Sequence, residues 1–412
     1  MDRPHHDPHR SVSAAPLVLV DPPGEPFWPL AATRSPADLL AGTRSFRARW
    51  ADRFGGVAAR VSEPATPAGP AWPDPSAGLR VALSTWVPPP DWMFGETPGE
   101  HRSGDRPVAW RLGADEAAGL AADPPAGADA LRSRLAGLGL ASRPSGGILC
   151  ESIWALVAAN PDLVRQDAAD FAGEDAVSVV DPGALLGRAG DLRVGKGVAI
   201  GPFVVLDARD GPIVLDDDVR VEPHVTLRGP LYVGPGSTIL GGDVGGGTSI
   251  GPACKVRGEV EQSVFLGFDN KAHDGFVGHS AIGAWVNLGA GTITSDLKNT
   301  YGPVRVEHAG GRTDTGLLKV GAFIGDHVRT GIGTLLTTGA RIGVGVHLFG
   351  GRGVSPAMLP DFTWYDGREP AAVRWEPFER GLRAAMARRG RSPSEPELSA
   401  LRALHAARGE SS

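Results

Sequence analysis

The stretch "IGDHVRTGIGTLLTTGARIGVGVHL", residues 324–348, decides the fold of this chain. An aliphatic residue or a threonine returns at every sixth position, at Ile324, Thr330, Leu336, Ile342 and Leu348. A period of six fits neither the 3.6-residue period of an α-helix nor the two-residue alternation of a half-buried strand. It is typical of a solenoid in which each hexad is one short strand followed by a tight turn. The stretch therefore predicts a parallel β-helix.

The same period recurs through residues 185–353, which we predict to be the β-helix domain. A small or acidic residue often follows the aliphatic one, as in "IGPF" and "VGPG". The further aliphatic positions are Val194, Ile200, Leu206, Leu215, Val221, Leu227, Val233, Ile239, Ile250, Val256, Ile282 and Leu288. A valine-rich sandwich, the alternative, would not hold this phase. Many of the chain's 58 glycines fall in this range, where tight turns use their conformational freedom.

Two interruptions of the hexads, near residues 262–276 and across residues 294–319, predict loops that leave the solenoid. Loops on a rigid scaffold tend to carry function, because they vary without disturbing the core. We therefore expect a functional site at these interruptions.

Composition limits the classes of function. The net charge of −6 offers no basic footprint, so we expect no nucleic-acid partner. Cys150 and Cys254 cannot form a disulfide framework, which predicts an intracellular, cytoplasmic protein. No run approaches the ~18 apolar residues of a membrane span, so we expect no membrane partner. Residues 1–15 lack the apolar segment of a signal peptide, and they are predicted to be a disordered, solvated tail.

The segments that flank the hexads are of another kind. Residues 16–180 have mixed α/β character, in which "PLVLV" predicts a strand and "SPADLLAGTRSFRARWADRF" a helix capped by Ser35. The stretch "ESIWALVAANPDLVRQDAADF" predicts a second helix, broken at Pro161. Residues 354–412 are predicted to form two helices that cover the end of the solenoid, the second beginning at Ser394.

The block "NKAHDGFVGHSAIGAWVNLGAGTITSDLKN", residues 270–299, resembles the acetyltransferase domain of the bifunctional N-acetylglucosamine-1-phosphate uridyltransferase/glucosamine-1-phosphate acetyltransferase. With "PLAATRSPADLLAGTRSFRARW" and "EVEQSVFLGFDNKAHDGFVGH" in the same order, residues 16–407 resemble a bacterial branch of that family described as sugar nucleotidyltransferases. The resemblance implies a homotrimer that transfers an acetyl group from acetyl-CoA to an amino-sugar phosphate. The predicted fold is thus an α+β N-terminal domain, a left-handed parallel β-helix and C-terminal helices.

The resemblance also implies catalytic residues. The family places a catalytic histidine where His273 stands, and a histidine is suited to accept the proton of an attacking amine near neutral pH. Asn287 is expected to position the sugar or the acyl group. A six-residue step moves His279 to another face, so we expect a surface turn residue there. Zinc, which γ-class carbonic anhydrases hold in this fold, is disfavoured because their paired histidines are separated by four residues and these by five; no metal is expected.

Four further residues of the block are expected to bind substrate. Lys271 and Lys298 are candidate anchors for a sugar phosphate or for the phosphates of coenzyme A, and a solvated loop lysine is the alternative. Phe276 and Asp296 stand where the better-known enzyme has a tyrosine and an asparagine. These two departures leave the identity of the acceptor sugar open. They bear less on the expectation that the reaction is an acyl transfer.

The N-terminal domain resembles a nucleotidyltransferase without its phosphate loop. Such a loop reads G-x-G-T-R and then lysine after the first strand, whereas "DPPGEPFWPL" follows here and "GTR", residues 42–44, follows a helix-like stretch. Arg34 and Arg47 match the branch's pattern and are candidate phosphate-binding residues. The domain is therefore either an active, Mg²⁺-dependent nucleotidyltransferase or a degenerate one. Three hypotheses remain: an N-acetyltransferase, a sugar-1-phosphate nucleotidyltransferase and a non-catalytic trimeric scaffold.

Overall fold

The computed structural model describes residues 15–62, 72–171, 173, 185–349 and 353–410. The chain divides into two compact units: residues up to Pro23 with Arg47–Leu149, and Gly24–Phe46 with the chain from Cys150 onward. This division differs from the ranges predicted from the sequence, because Gly24–Phe46 belongs to the unit that contains the hexads. The predicted boundary at residue 180 and the predicted tail, apart from its last residue, lie outside the described residues.

Among the described residues, ten short strands and three α-helices precede residue 150. The strands are β1 (Leu17–Val20), β2 (Leu40–Ala41), β3 (Arg44–Ser45), β4 (Ala59–Val61), β5 (Leu79–Leu83), β6 (Trp86–Val87), β7 (Gly99–Ser103), β8 (Arg106–Leu112), β9 (Ser142–Pro144) and β10 (Ile148–Leu149). The helices are α1 (Phe46–Phe54), α2 (Ala114–Ala122) and α3 (Ala128–Gly137).

The first unit contains a six-stranded mixed sheet in the order β4-β1-β5-β8-β7-β9. The predicted strand "PLVLV" is β1, which pairs in parallel with both β4 and β5. Successive side chains of a strand point to opposite faces. Leu17 and Leu19 therefore pack with Trp50 of α1, and Val18 and Val20 join the cluster that α2 and α3 cover. Burial on both faces explains why β1 is wholly apolar.

The helix predicted to begin at Ser35 is wrong in its first half. The hydroxyl of Ser35 accepts a 3.0 Å hydrogen bond from the Ala37 N–H, but it caps only the 3₁₀ turn Pro36–Asp38. The chain then forms the β2–β3 hairpin, and α1 begins at Phe46. Gly42 in the hairpin turn has φ of +71°, a conformation that glycine adopts without strain and that no helix contains.

Among the described residues, the second unit contains the β2–β3 hairpin, a parallel β-solenoid, a second hairpin at residues 305–314 and three α-helices. Its further strands are β11 (Leu185–Leu186), β12 (Leu192–Val194), β13 (Ala199–Ile200), β14 (Val205–Asp207), β15 (Ile213–Leu215), β16 (Arg220–Val221), β17 (Val225–Arg228), β18 (Leu231–Val233), β19 (Thr238–Gly245), β20 (Thr248–Ile250), β21 (Lys255–Glu261), β22 (Val264–Phe265), β23 (Asn270–Lys271), β24 (Val277–Gly278), β25 (Ala281–Ile282), β26 (Ile293–Thr294), β27 (Arg305–His308), β28 (Gly311–Asp314), β29 (Phe323–Ile324), β30 (Arg329–Thr330), β31 (Leu335–Leu336), β32 (Arg341–Ile342), β33 (His347–Leu348), β34 (Met358–Leu359), β35 (Thr363–Tyr365) and β36 (Ala371–Ala372).

One face of the solenoid is the parallel sheet β12-β15-β18-β20-β22-β25-β29-β32-β34. Its register places one buried apolar residue of each coil over that of the next coil. The stack is Val194, Leu215, Val233, Ile250, Phe265, Ile282, Ile324, Ile342 and Leu359. Apart from Phe265 and Leu359, these are residues of the hexad pattern. The predicted β-helix, between an α/β region and C-terminal helices, is therefore confirmed.

The two predicted interruptions differ in structure. Ile324 lies 42 residues after Ile282, although they are neighbours in the stack, whereas Ile342 follows Ile324 by 18. The long connection contains the β27–β28 hairpin, as the interruption across residues 294–319 predicted. Near residues 262–276 the loop prediction is wrong, because β22, β23 and β24 continue the coils. The hexad phase shifts there because Phe265 and Lys271 follow Ile250 and Val256, their partners in the previous coil, by 15 residues, which is not a multiple of six.

Helix α4 (Ile153–Ala168) is continuous, so the predicted break at Pro161 is wrong. A proline has no N–H to donate to the carbonyl four residues earlier, here that of Val157. The side-chain amide of Gln262 donates to this carbonyl at 3.4 Å, which compensates for the missing helical bond.

Helices α5 (Trp375–Ala387) and α6 (Glu395–Glu410) form the predicted C-terminal pair. The backbone N–H of Ser394 donates to Glu397 Oε2 at 2.7 Å, and the Glu397 N–H donates back to Ser394 Oγ at 3.4 Å. This reciprocal capping box confirms Ser394 as the start of the helix. Phe378 and Leu398 of the two helices pack with Phe362 of the solenoid's last coils. In the described part of the chain, no helix has both the length and the apolar character needed to cross a membrane.

Candidate active site

A partly open cavity of about 470 Å³ lies in the second unit, bordered by α4, the turn after β24 and the ends of the long connection. Its walls are mostly apolar. The apolar side chains are Trp154, Val157, Leu297, Leu317, Leu318 and Val320. His279 and Lys319 provide ionisable nitrogens in this lining. The cavity therefore joins an apolar surface to a few polar groups, which is the usual character of a small-molecule site.

His279 is fixed by the backbone on both sides. Its N–H donates to the Glu261 carbonyl at 3.0 Å, and its carbonyl accepts from the Gly321 N–H at 2.9 Å. The residue has φ of +47° in the turn after β24, and only 7% of its surface is exposed. The expectation of a surface histidine is therefore wrong, because the long connection folds back over this turn.

The ring nitrogen Nδ1 of His279 lies 2.7 Å from Oδ2 of Asp296. A carboxylate in this position favours the tautomer with the proton on Nδ1, which leaves Nε2 as a proton acceptor. Burial by itself raises the pKa of Asp296, but the hydrogen bond from His279, its charge and the charge of Lys319 hold that pKa below its ordinary value. Asp296 is therefore ionised near neutral pH and orients the imidazole, as a carboxylate does in a catalytic dyad.

Phe276 and Asp296 converge over the backbone of Gly278. A Cβ atom at this glycine would lie 2.8 Å from Asp296 Oδ2 and closer still to the Phe276 ring. The Gly278 N–H donates to Thr294 Oγ1 at 3.2 Å, which ties β24 to β26. The structure thus brings together two of the residues predicted to bind substrate, next to the histidine that the prediction set aside.

Glu261, His279 and Asp296 offer three potential ligand atoms, all within 4.8 Å of one another. Carboxylates and an imidazole suit a divalent cation. However, Nζ of Lys319 lies 3.8 Å from Glu261 Oε1, and its charge lowers the pKa of Asp296. We interpret the cluster as a histidine–aspartate dyad beside a lysine–glutamate pair, because the ammonium group already supplies the positive charge.

His273 lies on the exposed segment after β23. Its carbonyl accepts a 3.0 Å hydrogen bond from Nζ of Lys271, which also donates to the Arg257 carbonyl at 2.6 Å. Lys271 is only 3% exposed, and burial lowers its pKa to about 8. The structure thus places Lys271 inside the coil, where it holds the His273 backbone instead of facing a phosphate.

Asn287 projects from the next coil. Its Oδ1 accepts a 2.9 Å hydrogen bond from Nδ2 of Asn270, and its side chain is exposed. The backbone of Asn287 bridges in parallel to Asn270 and to Arg329. Asn287 therefore belongs to an outward-facing row on the solenoid.

The remaining predicted residues lie elsewhere. Lys298 Nζ donates to the Pro303 carbonyl at 2.6 Å within the long connection. Arg34 forms an ion pair with Asp326, whose side chain is 4% exposed. Arg47 is an exposed residue of α1 and belongs to the first unit, whereas Arg34 belongs to the second. Arg34 is thus engaged by a buried carboxylate in place of a phosphate.

Sequence reasoning missed His279, Glu261 and Lys319 as a group. Lys319 ends the interruption at residues 294–319, and Glu261 precedes the other one. The sequence does contain one signal for this group, because Glu261 and Lys319 border the two interruptions of the hexads. The sequence does not reveal that the end of the long connection between Ile282 and Ile324 packs over the turn that contains His279.

The chain matches no model of a known protein family. It is 40% identical over 93 residues to a bifunctional sugar-1-phosphate nucleotidylyltransferase/acetyltransferase of Sulfurisphaera tokodaii, which is 23% of each chain. It is 30% identical over 192 residues to the bifunctional protein GlmU of Methylococcus capsulatus, or 42% of this chain and 38% of the relative. It is 34% identical over 191 residues to GlmU of Alkalilimnicola ehrlichii, or 45% and 35%.

The chain therefore spans less than half the length of each of these relatives. The names of these relatives agree with the family that the block at residues 270–299 resembles, and the parallel solenoid agrees with its hexapeptide-repeat architecture.

Proposed function

We propose that the solenoid is an acyltransferase that moves the acyl group of a coenzyme A thioester to the amine of an amino-sugar phosphate. The observation that carries this proposal is that His279, which lines the cavity, is paired with Asp296. An amine attacks a thioester only without its proton, so a positioned base accelerates the step. The names of the relatives, which include an acetyltransferase, support the reaction class.

In this proposal His279 accepts the proton of the amine on Nε2, and Asp296 holds the ring and balances the imidazolium charge that forms. Phe276 packs beside the dyad and limits the positions that the acceptor can take. The resemblance implies His273 as the base, and this remains the competing assignment, with Asn287 as its partner. His273 differs from His279 in that its imidazole makes no hydrogen bond to other described residues.

The proposal includes acetyl-CoA as a donor, a homotrimer and a cytoplasmic location. His273 and Asn287 lie on exposed surface of successive coils, where a second copy of the chain would add the contacts that one copy lacks. Lys298, which holds the long connection, is proposed to support the donor side of the cavity through that connection.

The relatives' names also favour a second candidate, nucleotidyl transfer by the first unit. Asp21 follows β1 at the carboxyl edge of the parallel strands, where α/β sheets bind ligands. Its two carboxylate oxygens accept hydrogen bonds from Ser84 at 2.6 Å and from Ser62 at 2.7 Å. Asp21 is thus held by serines of its own unit. Nucleotidyl transfer by the first unit, with Arg47 as a phosphate-binding residue and Mg²⁺ as cofactor, is therefore our second candidate.

One preparation of the full chain tests both candidates. Free thiol is measured with acetyl-CoA and glucosamine-1-phosphate, and pyrophosphate with UTP, Mg²⁺ and N-acetylglucosamine-1-phosphate. We expect thiol release that depends on the amino sugar. Pyrophosphate release alone would move the function to the first unit, and a folded trimer without either activity would favour the scaffold hypothesis.

A further inference from the structure

The cavity is larger than an acetyl group requires. Its volume is about 470 Å³, which falls within the roughly 300–1,000 Å³ of pockets that bury drug-sized ligands. An acetyl group fills roughly 60 Å³, about twice the share of one water molecule in the liquid. The acetyl group of the donor would therefore leave most of this space unoccupied.

The apolar part of the lining disfavours the hydroxyl and phosphate groups of the acceptor sugar. Trp154 and Val157 of α4 line the cavity together with Leu297, Leu317 and Val320 of the long connection. Hydroxyl and phosphate groups placed against these side chains would lose their hydrogen bonds to water without new partners. An apolar chain placed there loses no hydrogen bonds to water, and it removes further apolar surface from water.

His279 of the dyad lies in the lining of the same cavity. We propose that the cavity binds an apolar acyl chain of about four to eight carbons, so that the preferred donor is a medium-chain acyl-CoA. This inference rests on the proposed acyl transfer, and it changes the group that is transferred. The thioester carbonyl lies beside His279, and the chain extends between Trp154 and Leu317.

The step balances without a further reactant. The amine nitrogen attacks the thioester carbon, a C–N bond forms, and the C–S bond breaks. Nε2 of His279 takes the proton that the amine loses, and the coenzyme A thiolate that leaves takes a proton in turn. The products are an N-acyl amino-sugar phosphate and free coenzyme A.

A chain-length series tests the inference. Thiol release is measured with acetyl-, butanoyl-, hexanoyl-, octanoyl- and dodecanoyl-CoA at a fixed concentration of glucosamine-1-phosphate. Each buried methylene contributes about fourfold, so kcat/KM should rise to six or eight carbons and then fall. The affinity of hexanoyl-CoA should exceed that of acetyl-CoA at least about tenfold by calorimetry, which does not depend on turnover.

A variant that fills the cavity tests the pocket directly, and a variant outside the cavity on the same helix is its matched control. Ala158 lines the cavity from the exposed surface of α4, so Ala158→Phe adds bulk there without disturbing a buried contact. It should lower the kcat/KM and the affinity for hexanoyl-CoA to those for acetyl-CoA, which removes the preference for the longer chain. Asp162→Phe, on the exposed side of the same helix and outside the cavity, should behave as the unchanged protein does.

The outcomes separate the two proposals. Equal affinity for acetyl- and hexanoyl-CoA, with no effect of Ala158→Phe, would overturn the acyl-chain pocket and mean that the pantetheine arm or a neighbouring chain fills it. Turnover of acetyl-CoA in that case would leave the proposed function standing. Selective binding of hexanoyl-CoA that Ala158→Phe abolishes, without turnover of any donor, would support the pocket and overturn the proposed function.

Discussion

Nδ1 of His279 lies 2.7 Å from Oδ2 of Asp296, and both side chains are buried although the two residues are seventeen positions apart. The pair joins a turn of the solenoid to the long connection that interrupts it. It therefore contributes to the stability of this region as well as to the chemistry proposed for the cavity, and the two contributions can be measured separately.

Asp296 should make the protein less stable in acid. Because the folded-state pKa of this carboxyl lies below its ordinary value, the unfolded chain binds more protons as the pH falls through about 4. The free energy of unfolding should therefore decrease there, and Asp296→Asn should lack this part of the decrease. Urea unfolding at pH 6, 5, 4 and 3 measures it.

The matched control is Asp314→Asn in the exposed β28 strand, which should keep the acid dependence of the unchanged protein. A stability difference between the unchanged protein and Asp296→Asn that stays constant from pH 6 to 3 would contradict the role of the pair.

Lys271 should give a dependence of the same sign at high pH, because its folded-state pKa is also lowered. Burial lowers its pKa to about 8, against about 10.4 in an unfolded chain. Between these values the unfolded chain binds more protons, so the folded state gains stability as the pH rises, by at most about 3 kcal/mol. Lys271→Met should lack this rise, whereas Lys255→Met, at an exposed lysine of the neighbouring coil, should retain it. If the free energy of unfolding of all three proteins changed in parallel from pH 7 to 10, the ammonium group of Lys271 would not have a lowered pKa in the folded state.

Arg34 should act on stability and not on substrate binding. Arg34→Ala leaves the buried carboxylate of Asp326 without its ion-pair partner, which should lower the free energy of unfolding by about 3 kcal/mol. Exposed Arg220, in the same unit, provides the control variant Arg220→Ala, with an expected change within about 0.5 kcal/mol. The KM for glucosamine-1-phosphate should be unchanged in Arg34→Ala. A large rise of that KM without a loss of stability would restore the phosphate-binding role.

The Glu261–His279–Asp296 cluster should work without a metal ion. Lys319 already neutralises Glu261 at 3.8 Å, so dialysis against EDTA should leave thiol release unchanged, and Glu261→Gln should alter it by less than about threefold. Loss of activity in EDTA, restored by Zn²⁺ or Mn²⁺ in the unchanged protein but not in Glu261→Gln, would identify the cluster as a metal centre.

The hexads predicted the solenoid because the same constraint is repeated in coil after coil. Val194 and Ile342 are far apart in sequence, yet each fills the same interior position of its coil, so the pattern is readable without the structure. A period describes regular coils only. The coil from Val256 to Lys271 has only 15 residues, so the period predicts a loop where a buried ammonium group bonds two carbonyls.

The site was predicted less well, for a related reason. The resemblance predicts that Asp296 and Phe276 bind substrate, and the structure brings the two side chains together over Gly278. His279 was set aside because a six-residue step assigns it to another face of the coil. Its burial depends on residues at the far end of the long connection, such as Val320 and Lys319, and no local pattern encodes where such a connection returns.

The most direct test compares the two histidines in one assay. The kcat/KM for thiol release is measured for His279→Gln and His273→Gln, with unfolding and oligomeric state checked for both. We expect His279→Gln to lower kcat/KM at least about 100-fold, the usual contribution of a general base, and His273→Gln to lower it less than about fivefold. Asp296→Asn, which keeps the shape of the pair, should lower kcat by about tenfold or more. The reverse order, with His273→Gln inactive and folded His279→Gln fully active, would contradict the assignment of the dyad as the proton acceptor.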